Sequence, residues 1–306
     1  MNENNVELTI GIPVYNREGF IGKRLDNILS QTFQDFKILI YDNSDDLTPK
    51  ICREYVKNDS RIKHVHEDKS KIKGKGTGKP QVYAFNYVLQ NADTEFFVWT
   101  SSDDLWAPNF LEKNMEILKK RSDAVGSVGQ LKRYGPKIEE FSINPTDSFL
   151  TKKYKKFRRS FRPIELISLV DESYEKRATK FLRTLDELSM YAIFRTKPLQ
   201  KSFVLSWSFL WKKNILNVLK YGKLIVTEET EWFWHTGSSG IDNIINQYKK
   251  TDIYTLKTLL LPYLDYMKWC NKNIGSKFLI KNLGFFTVST GTHYIILITN
   301  ILRRNY

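Results

Sequence analysis

The feature that most constrains this chain is the alternation of strand-like and helix-like segments before residue 100. Val6–Ile12 is a compact β-rich run, and Phe36–Tyr41 (FKILIY) is nearly continuous apolar, the pattern of a strand buried on both faces. Between them, Glu18–Ser30 sets Ile21, Leu25, Ile28 and Leu29 at helical spacing. Thr48–Lys57 reads as a second helix, with Thr48 as N-cap and Pro49 in its first turn. A short strand, Ile62–His66, and a basic Gly-rich loop, Lys69–Lys79, lead to a helix near Gln81–Asn91 and a strand over Glu95–Trp99. Repeated β–α alternation of this kind predicts an α/β, Rossmann-like fold, with a mostly parallel central sheet flanked by helices.

In such sheets ligands bind beyond the carboxyl ends of the strands. The residues standing there are Pro13-Val14-Tyr15-Asn16 after the first strand, Asp42-Asn43-Ser44-Asp45-Asp46 after the second, and Ser101-Ser102-Asp103-Asp104 after the fourth. No GxGxxG follows the first strand and no GxxxxGK[ST] occurs, which argues against a dinucleotide oxidoreductase and a P-loop NTPase. Cys52 and Cys270 are the only cysteines, so neither a disulfide framework nor a Cys-based zinc site is expected. The four histidines form no HExxH pair. A net charge of +14 suits nucleic acid, an anionic membrane face or a phosphate-bearing substrate. With no zinc-finger or RNP-like motif, nucleic acid is not an expected partner.

Asp103-Asp104 lies between an apolar run (FFVWT) and Leu105-Trp106-Ala107-Pro108. Adjacent carboxylates repel unless something positive stands beside them; a hard divalent cation meets that need and brings diphosphate oxygens into its shell. The local spacing equally allows one of the two to cap a helix starting near Pro108.

The runs ELTIGIPVYNREGFIGKRLDNILSQTFQDFKILIYDNSDD and FFVWTSSDDLWAPNFLEK resemble, in order and spacing, the N-terminal half of family 2 glycosyltransferases, which are GT-A fold enzymes using nucleotide-activated sugars. The shared features are the strand leading to Pro-x-Tyr-Asn, the Ser30-Gln31-Thr32 helix end, the Asp-Asn-Ser turn and the Ser-Asp-Asp-Leu turn. The resemblance implies a nucleobase pocket lined by Pro13, Val14 and Tyr15, with Asp42 hydrogen-bonded to the base. It further implies that Asp103 meets the ribose or the metal, and that Asp104 ligates Mg2+ or Mn2+ bridging the diphosphate. The implied partners are a nucleotide-sugar donor and a glycan or lipid-linked acceptor, and the implied outcome is inversion, with a general base activating the acceptor hydroxyl. Two departures stand out. Ser101 occupies a place where the family often carries an Asp, and the Lys-rich GKGKGTGKPQ replaces an Asn-x-Gly-like segment. Lys73, Lys75 and Lys79 then read either as donor-phosphate contacts or as a solvated loop.

In the second half, Thr151–Arg162 interleaves cations with Tyr154, Phe157 and Phe161, which suits a membrane surface, an acceptor phosphate or a solvated insert. Relatives place the catalytic carboxylate between landmarks that here are Phe194-Arg195-Thr196 and Gly222-Lys223, near Ser206-Trp207-Ser208. Leu188 to Thr227 contains no Asp or Glu. Asp186, just before an expected strand at Ser189–Phe194, is therefore taken as the base, with Glu187, Glu228 and Glu229 as alternatives. His235, in WFWHTGS, reads as a further metal ligand, or as a strand end packed on the core, with Trp232, Phe233 and Trp234 as an acceptor wall. Asn282–Leu302 is uncharged between Lys281 and Arg303-Arg304, but its Thr, Ser, His and Asn residues favour a packed or interfacial helix over a span.

The expected organisation is a GT-A domain over residues 1–240, with donor half 1–120 and acceptor half 121–240, and a helical extension over 241–306 that has room for peripheral membrane contact. The polar start MNENNVELTI lacks the pattern of a secretory signal, so the expected location is the cytoplasm, including the inner face of the cell membrane. A second reading is a catalytically weakened GT-A fold that binds sugar nucleotides or serves as a scaffold, motivated by the acid-free stretch.

Overall fold

A computed structural model describes residues 6–68, 80–135, 166–184, 187–206, 209–236 and 259–302, with a few positions between 145 and 156. Its contacts divide the chain into two compact units, 1–236 and 237–306. The first unit runs β1 (Leu8–Val14), α1 (Ile21–Leu29), β2 (Phe36–Asp42), α2 (Thr48–Asn58), β3 (Ile62–His66), α3 (Pro80–Gln90) and β4 (Phe96–Trp99). It continues through β5 (Leu105–Trp106), α4 (Phe110–Lys120), β6 (Ala124–Tyr134), α5 (Tyr174–Thr184), a 3-10 turn (Leu188–Tyr191), β7 (Ile193–Arg195), α6 (Thr196–Ser202), α7 (Leu210–Val218) and β8 (Lys223–His235).

The strands form one sheet in the order β3-β2-β1-β4-β7-β6-β8-β5. β1 pairs in parallel with both β2 and β4, and β2 with β3, so the carboxyl ends of these four strands share one sheet edge. Their apolar residues explain the layering: Leu8, Ile10, Ile12, Ile38, Ile40, Phe96, Phe97 and Val98 are all buried, as strands covered on both faces require. The apolar stripe of α1 packs as its spacing predicts, with Ile21, Leu25 and Ile28 buried.

Three local expectations change. Thr48 is not a cap. It lies inside α2, buried, with its Oγ1 accepting the Arg17 amide (2.8 Å), while Asp46 Oδ1 accepts the Thr48 amide (2.9 Å) and so does the capping. Neither Asp103 nor Asp104 caps α4, whose N-cap residue is Asn109. The strand expected over Ser189–Phe194 is instead the 3-10 turn followed by three-residue β7, which fits antiparallel between β4 and β6. Ser189 and Met190 are buried in the turn, so the segment is packed in the core without being extended.

β6 and β8 pair in parallel, yet their register jumps between Gly129 and Gln130, so Glu228–Thr230 bulges out of β8. The bulge is held by Asn109, which accepts from the Thr230 hydroxyl (2.9 Å) and donates to the Glu229 carbonyl (3.3 Å). A Cβ at Gly129 would stand 2.7 Å from the Thr230 carbonyl oxygen, a backbone atom with no room to retreat. Gly129→Ala is therefore expected to lower stability by about 1–3 kcal/mol, read as an earlier urea midpoint with an unchanged slope.

The second unit contains α8 (Leu264–Asn273), α9 (Ser276–Lys281) and α10 (Leu283–Leu302). Tyr266 of α8 packs edge-on against Phe286 of α10, ring centroids 5.9 Å apart. No helix among the described residues is long and apolar enough to cross a membrane.

Candidate functional site

The end of β1 carries Pro13 and Val14, which stand in register with Tyr41 and Asp42 at the end of β2. Tyr15, the next residue, is exposed. Asn16 takes a left-handed conformation (φ 49°) that asparagine tolerates better than most residues. That turn aims it at the loop after β2: its amide donates to Ser44 Oγ (2.8 Å), its Nδ2 donates to Asp45 Oδ1 (2.6 Å), and its Oδ1 accepts the Asp45 amide (3.0 Å). The two loops are thereby joined side by side.

Asp42 is fully buried. Its Oδ1 accepts the Ser44 amide (2.8 Å) and its Oδ2 lies 3.0 Å from His64 Nε2 on β3. Asp42, Cys52 and His64 are the one trio of potential metal-ligand residues, among those described, whose ligand atoms lie within 4.8 Å of one another. Burial, reinforced by the Asp42 charge, pushes the Cys52 thiol up to about 12. In the metal-free protein the trio is therefore a hydrogen-bonded carboxylate–imidazole pair beside a protonated thiol.

Asp103 and Asp104 follow β4, two strands from Asp42 along the same sheet edge. Asp103 is half-buried, and its carbonyl accepts the Tyr134 hydroxyl from the end of β6 (2.7 Å). Asp104 is only 2% exposed, and its Oδ1 accepts the His235 amide from the end of β8 (3.0 Å). The His235 ring stands edge-on to Tyr134 (4.9 Å) and to Phe20 (5.5 Å), and its Nδ1 is buried without a hydrogen-bond partner. Thus the ends of β4, β6 and β8 meet here, setting the Tyr134 hydroxyl on Asp103 and the His235 amide on Asp104. Trp232, by contrast, is buried against Tyr191 and belongs to the core. Asp186 lies outside the described residues, as do Trp207 and Ser208, Lys73, Lys75 and Lys79, and most of Thr151–Arg162.

Beneath the acidic pair lies Arg24, which sequence reasoning passed over. It sits on α1 and is 1% exposed. Its guanidinium stacks 3.9 Å over the Trp106 ring and donates to Asn27 Oδ1 (2.7 Å) and Thr100 Oγ1 (2.5 Å). Burial brings its pKa down to about 9, against the pull of Asp104, Tyr134 and Asp103, so it remains a cation at neutral pH. The available signal was a cation on the apolar stripe between Ile21 and Leu25. Tyr134 gave no such signal, because it ends a strand whose partner was unknown.

The segment after the acidic pair is bolted to α1. Asn27 donates to the Trp106 carbonyl (3.0 Å) and accepts the Trp106 amide (2.9 Å). Gln31 donates to the Ala107 carbonyl (2.9 Å), and the Thr32 amide donates to the Pro108 carbonyl (2.9 Å). The Gln31-Thr32 pair at the helix end therefore serves to hold the Asp103–Pro108 segment in place.

Even with Arg24 nearby, Asp104 is short of positive charge: burial first, then the Asp103 carboxylate, pushes its pKa up to about 6. The fit to a divalent cation is good, because magnesium-like ions take one or two carboxylates from a protein and complete their shell with water and substrate phosphate. Asp103 and Asp104 are the residues that would supply them; the orphaned His235 Nδ1 does not join their oxygens within the 4.8 Å that would make the three a gathered ligand set. Chemically, the arrangement suits a polyanion held through a cation at the sheet edge.

Without metal, the Asp104 charge costs stability above pH 6, and that cost vanishes below its ordinary value of 3.8, where folded and unfolded chains are both protonated. Asp104→Asn is expected to raise the unfolding free energy near pH 7 in chelator by up to about 3 kcal/mol and to change little near pH 3, as urea titrations at the two pH values would report. His64→Ala should have the opposite sign. Removing the partner of the buried Asp42 carboxylate is expected to cost about 2–4 kcal/mol, read from the urea midpoint.

Residues 9–203 match the family model described as glycosyl transferase family 2. An uncharacterized glycosyltransferase of Rickettsia typhi is 32% identical over 114 residues, which is 37% of this chain and 32% of that protein. Glycosyltransferase GlyA of Streptococcus pneumoniae is 25% identical over 225 residues, covering 71% of this chain and 26% of the other. The chain thus spans about a third or less of the length of these curated relatives. The mannosyltransferase PcManGT from Pyrobaculum calidifontis, solved in complex with GDP-Man and Mn2+, has a similar fold, with a TM-score of 0.50 at 14% identity, covering 99% of this chain and 88% of that one.

Proposed function

The chain belongs to glycosyl transferase family 2, and from that premise we propose that it moves a sugar from a nucleotide-activated donor to a glycan or lipid-linked acceptor, with inversion and with Mg2+ or Mn2+ as cofactor. The observation that carries this reading is the Asp103–Asp104 pair at the carboxyl edge of the sheet, with Asp104 buried and short of positive charge.

On this reading the donor base lies against Pro13, Val14 and Tyr15, beside the paired loops after β1 and β2. Asp42, oriented by His64 and the Ser44 amide and without exposed surface in this structure, meets a base N–H once the turn after β2 shifts to uncover it. Asp103 would meet the ribose or the cation and Asp104 would hold the cation, with His235, whose amide donates to Asp104, as the further ligand proposed. The cation supplies Lewis-acid stabilisation of the charge that grows on the leaving diphosphate. Arg24 keeps the two carboxylates close in the absence of ligand. Asp186 takes the proton of the acceptor hydroxyl as that oxygen attacks the anomeric carbon. Its neighbour Glu187 is held by Lys212 (3.2 Å), and Glu229 lies 3.7 Å from Lys113. Similar proteins support this class: PcManGT was solved with GDP-Man and Mn2+, and a Methanococcus voltae relative, 32% identical over 130 residues (40% of this chain and 38% of that protein), is named as a glucuronosyltransferase for a dolichyl N-acetylglucosaminyl phosphate.

One observation favours the second reading, a donor-binding protein with weakened catalysis. Where the family's catalytic carboxylate is expected, Ser206 Oγ instead accepts a hydrogen bond from the buried Lys213 ammonium (3.0 Å).

The two readings part in a single assay. Incubation with uridine, guanosine and thymidine diphosphate sugars plus Mn2+ is expected to release nucleoside diphosphate from one of them, at least about a hundredfold less in Asp186→Asn. Asp104→Ala is expected to abolish the metal-dependent rise in melting temperature with that nucleotide. Donor binding without release from any sugar nucleotide would favour the binder, and no metal-dependent binding at all would overturn both readings.

A further inference from the structure

Helix α10 is uncharged from end to end. Its inner side is packed: Phe286 and Ser289 are buried, and Phe286 meets Tyr263 and Tyr266. The outer side is different. Gly284, Val288, Gly291, Ile295 and Ile298 recur at alternate steps of four and three residues, which places them on one face, and every one of them is exposed. Ile298 is 56% exposed, and at Gly284 and Gly291 an added Cβ would meet open space. Leu283 of α10 and Ile280 of α9 extend the same apolar character, with Ile280 68% exposed. A helix on the surface of a water-soluble body normally turns charged residues outward. This one turns isoleucine, valine and glycine outward.

The charges that follow Asp265 in the sequence have a single sign. Asp265 is the last acidic residue in the sequence; Lys268, Lys272, Lys277, Lys281, Arg303 and Arg304 follow it. The four lysines are exposed, on α8 and α9, before α10 begins. Arg303 and Arg304 come directly after its last residue in the sequence. An apolar face with basic groups before and after it complements a surface with an oily interior and an anionic rim. A second copy of the chain suits it poorly, because either a parallel or an antiparallel pairing of α10 helices would bring cation toward cation at both ends.

We propose that the outer face of α10 is a docking surface for an anionic lipid bilayer, on which the helix lies in the plane of the headgroups with Val288, Ile295 and Ile298 inserted and the lysines of α8 and α9 on lipid phosphates. The helix lies on the membrane rather than crossing it, in keeping with the lack, among the described residues, of any helix long and apolar enough to span. This surface is separate from the sugar chemistry, and its failure would leave the transferase reading untouched.

The test is flotation of the full chain with vesicles of phosphatidylcholine alone and of phosphatidylcholine with about a third phosphatidylglycerol. The expected result is co-flotation with the anionic vesicles only, weakened by added salt. Ile295→Asp with Ile298→Asp should abolish it, and Lys277→Glu with Lys281→Glu should reduce partitioning by roughly tenfold or more. All four positions are exposed, so the melting temperature and nucleotide binding should stay at the parent values in both variants. The proposal is overturned by absence of flotation with anionic vesicles, by equal flotation with neutral ones, or by flotation that survives both pairs of substitutions. It is equally overturned if the chain dimerises in lipid-free sedimentation and Ile295→Asp with Ile298→Asp disperses the dimer, since the face would then belong to a second copy.

Discussion

A buried cation under a pair of carboxylates is the constraint around which the first unit is organised. Arg24 enters the core on a helix that otherwise offers it only Ile21, Leu25 and Ile28. Removing a guanidinium from water is expensive unless hydrogen bonds and opposite charge replace the hydration. Asn27 and Thr100 provide the hydrogen bonds, Trp106 provides an aromatic face, and Asp103 and Asp104 provide the charge. Asn27 shares the helix with Arg24 and the other four groups all lie in the segment 100–106, so meeting the needs of Arg24 also fixes α1 against the ends of β4 and β5. The compensation is incomplete on the acidic side. Two carboxylates share one cation, Asp104 is left reluctant to ionise, and the sheet edge is left ready for further positive charge.

How much of this was legible in the sequence depends on what kind of interaction did the specifying. The segments β1, α1, β2, α2, β3, α3 and β4 were readable because period-2 and helical periodicities report which side of an element is buried. The loops beyond the strands were readable because a parallel α/β sheet has only one edge at which its strand ends converge. Strand neighbours were harder. The antiparallel insertion of β7 and the parallel pairing of β6 with β8 depend on contacts far apart in the chain, and three residues of strand leave no periodic trace. The bulge at Glu228–Thr230 was invisible for a related reason: it exists only relative to the partner strand.

Side-chain roles divided the same way. Asp103 and Asp104 announced themselves because adjacent acids at a strand end need an explanation. Thr48 and Asp46 both had capping chemistry, and only the loop geometry decided that Asp46 would accept the helix amide while Thr48 turned to Arg17. His64 looked like an ordinary strand residue, yet it is the partner of a buried carboxylate one strand away. The Gln31-Thr32 pair was recognisable as part of a pattern. Its physical task became clear once both residues were found bonded to the backbone that follows the acidic pair.

The knot between Asn16 and Asp45 has a consequence for selectivity. Because two neighbouring loops are cross-tied by three hydrogen bonds, the wall they form exists before any ligand arrives, and little ordering entropy is lost when one settles against it. A rigid wall distinguishes molecules by shape and by the direction of their donors, since it has no means of reshaping itself around an ill-fitting one. Evolution of a new preference at this edge would therefore proceed by exchanging the side chains mounted on the wall, exposed Tyr15 among them, and would leave the knot itself alone.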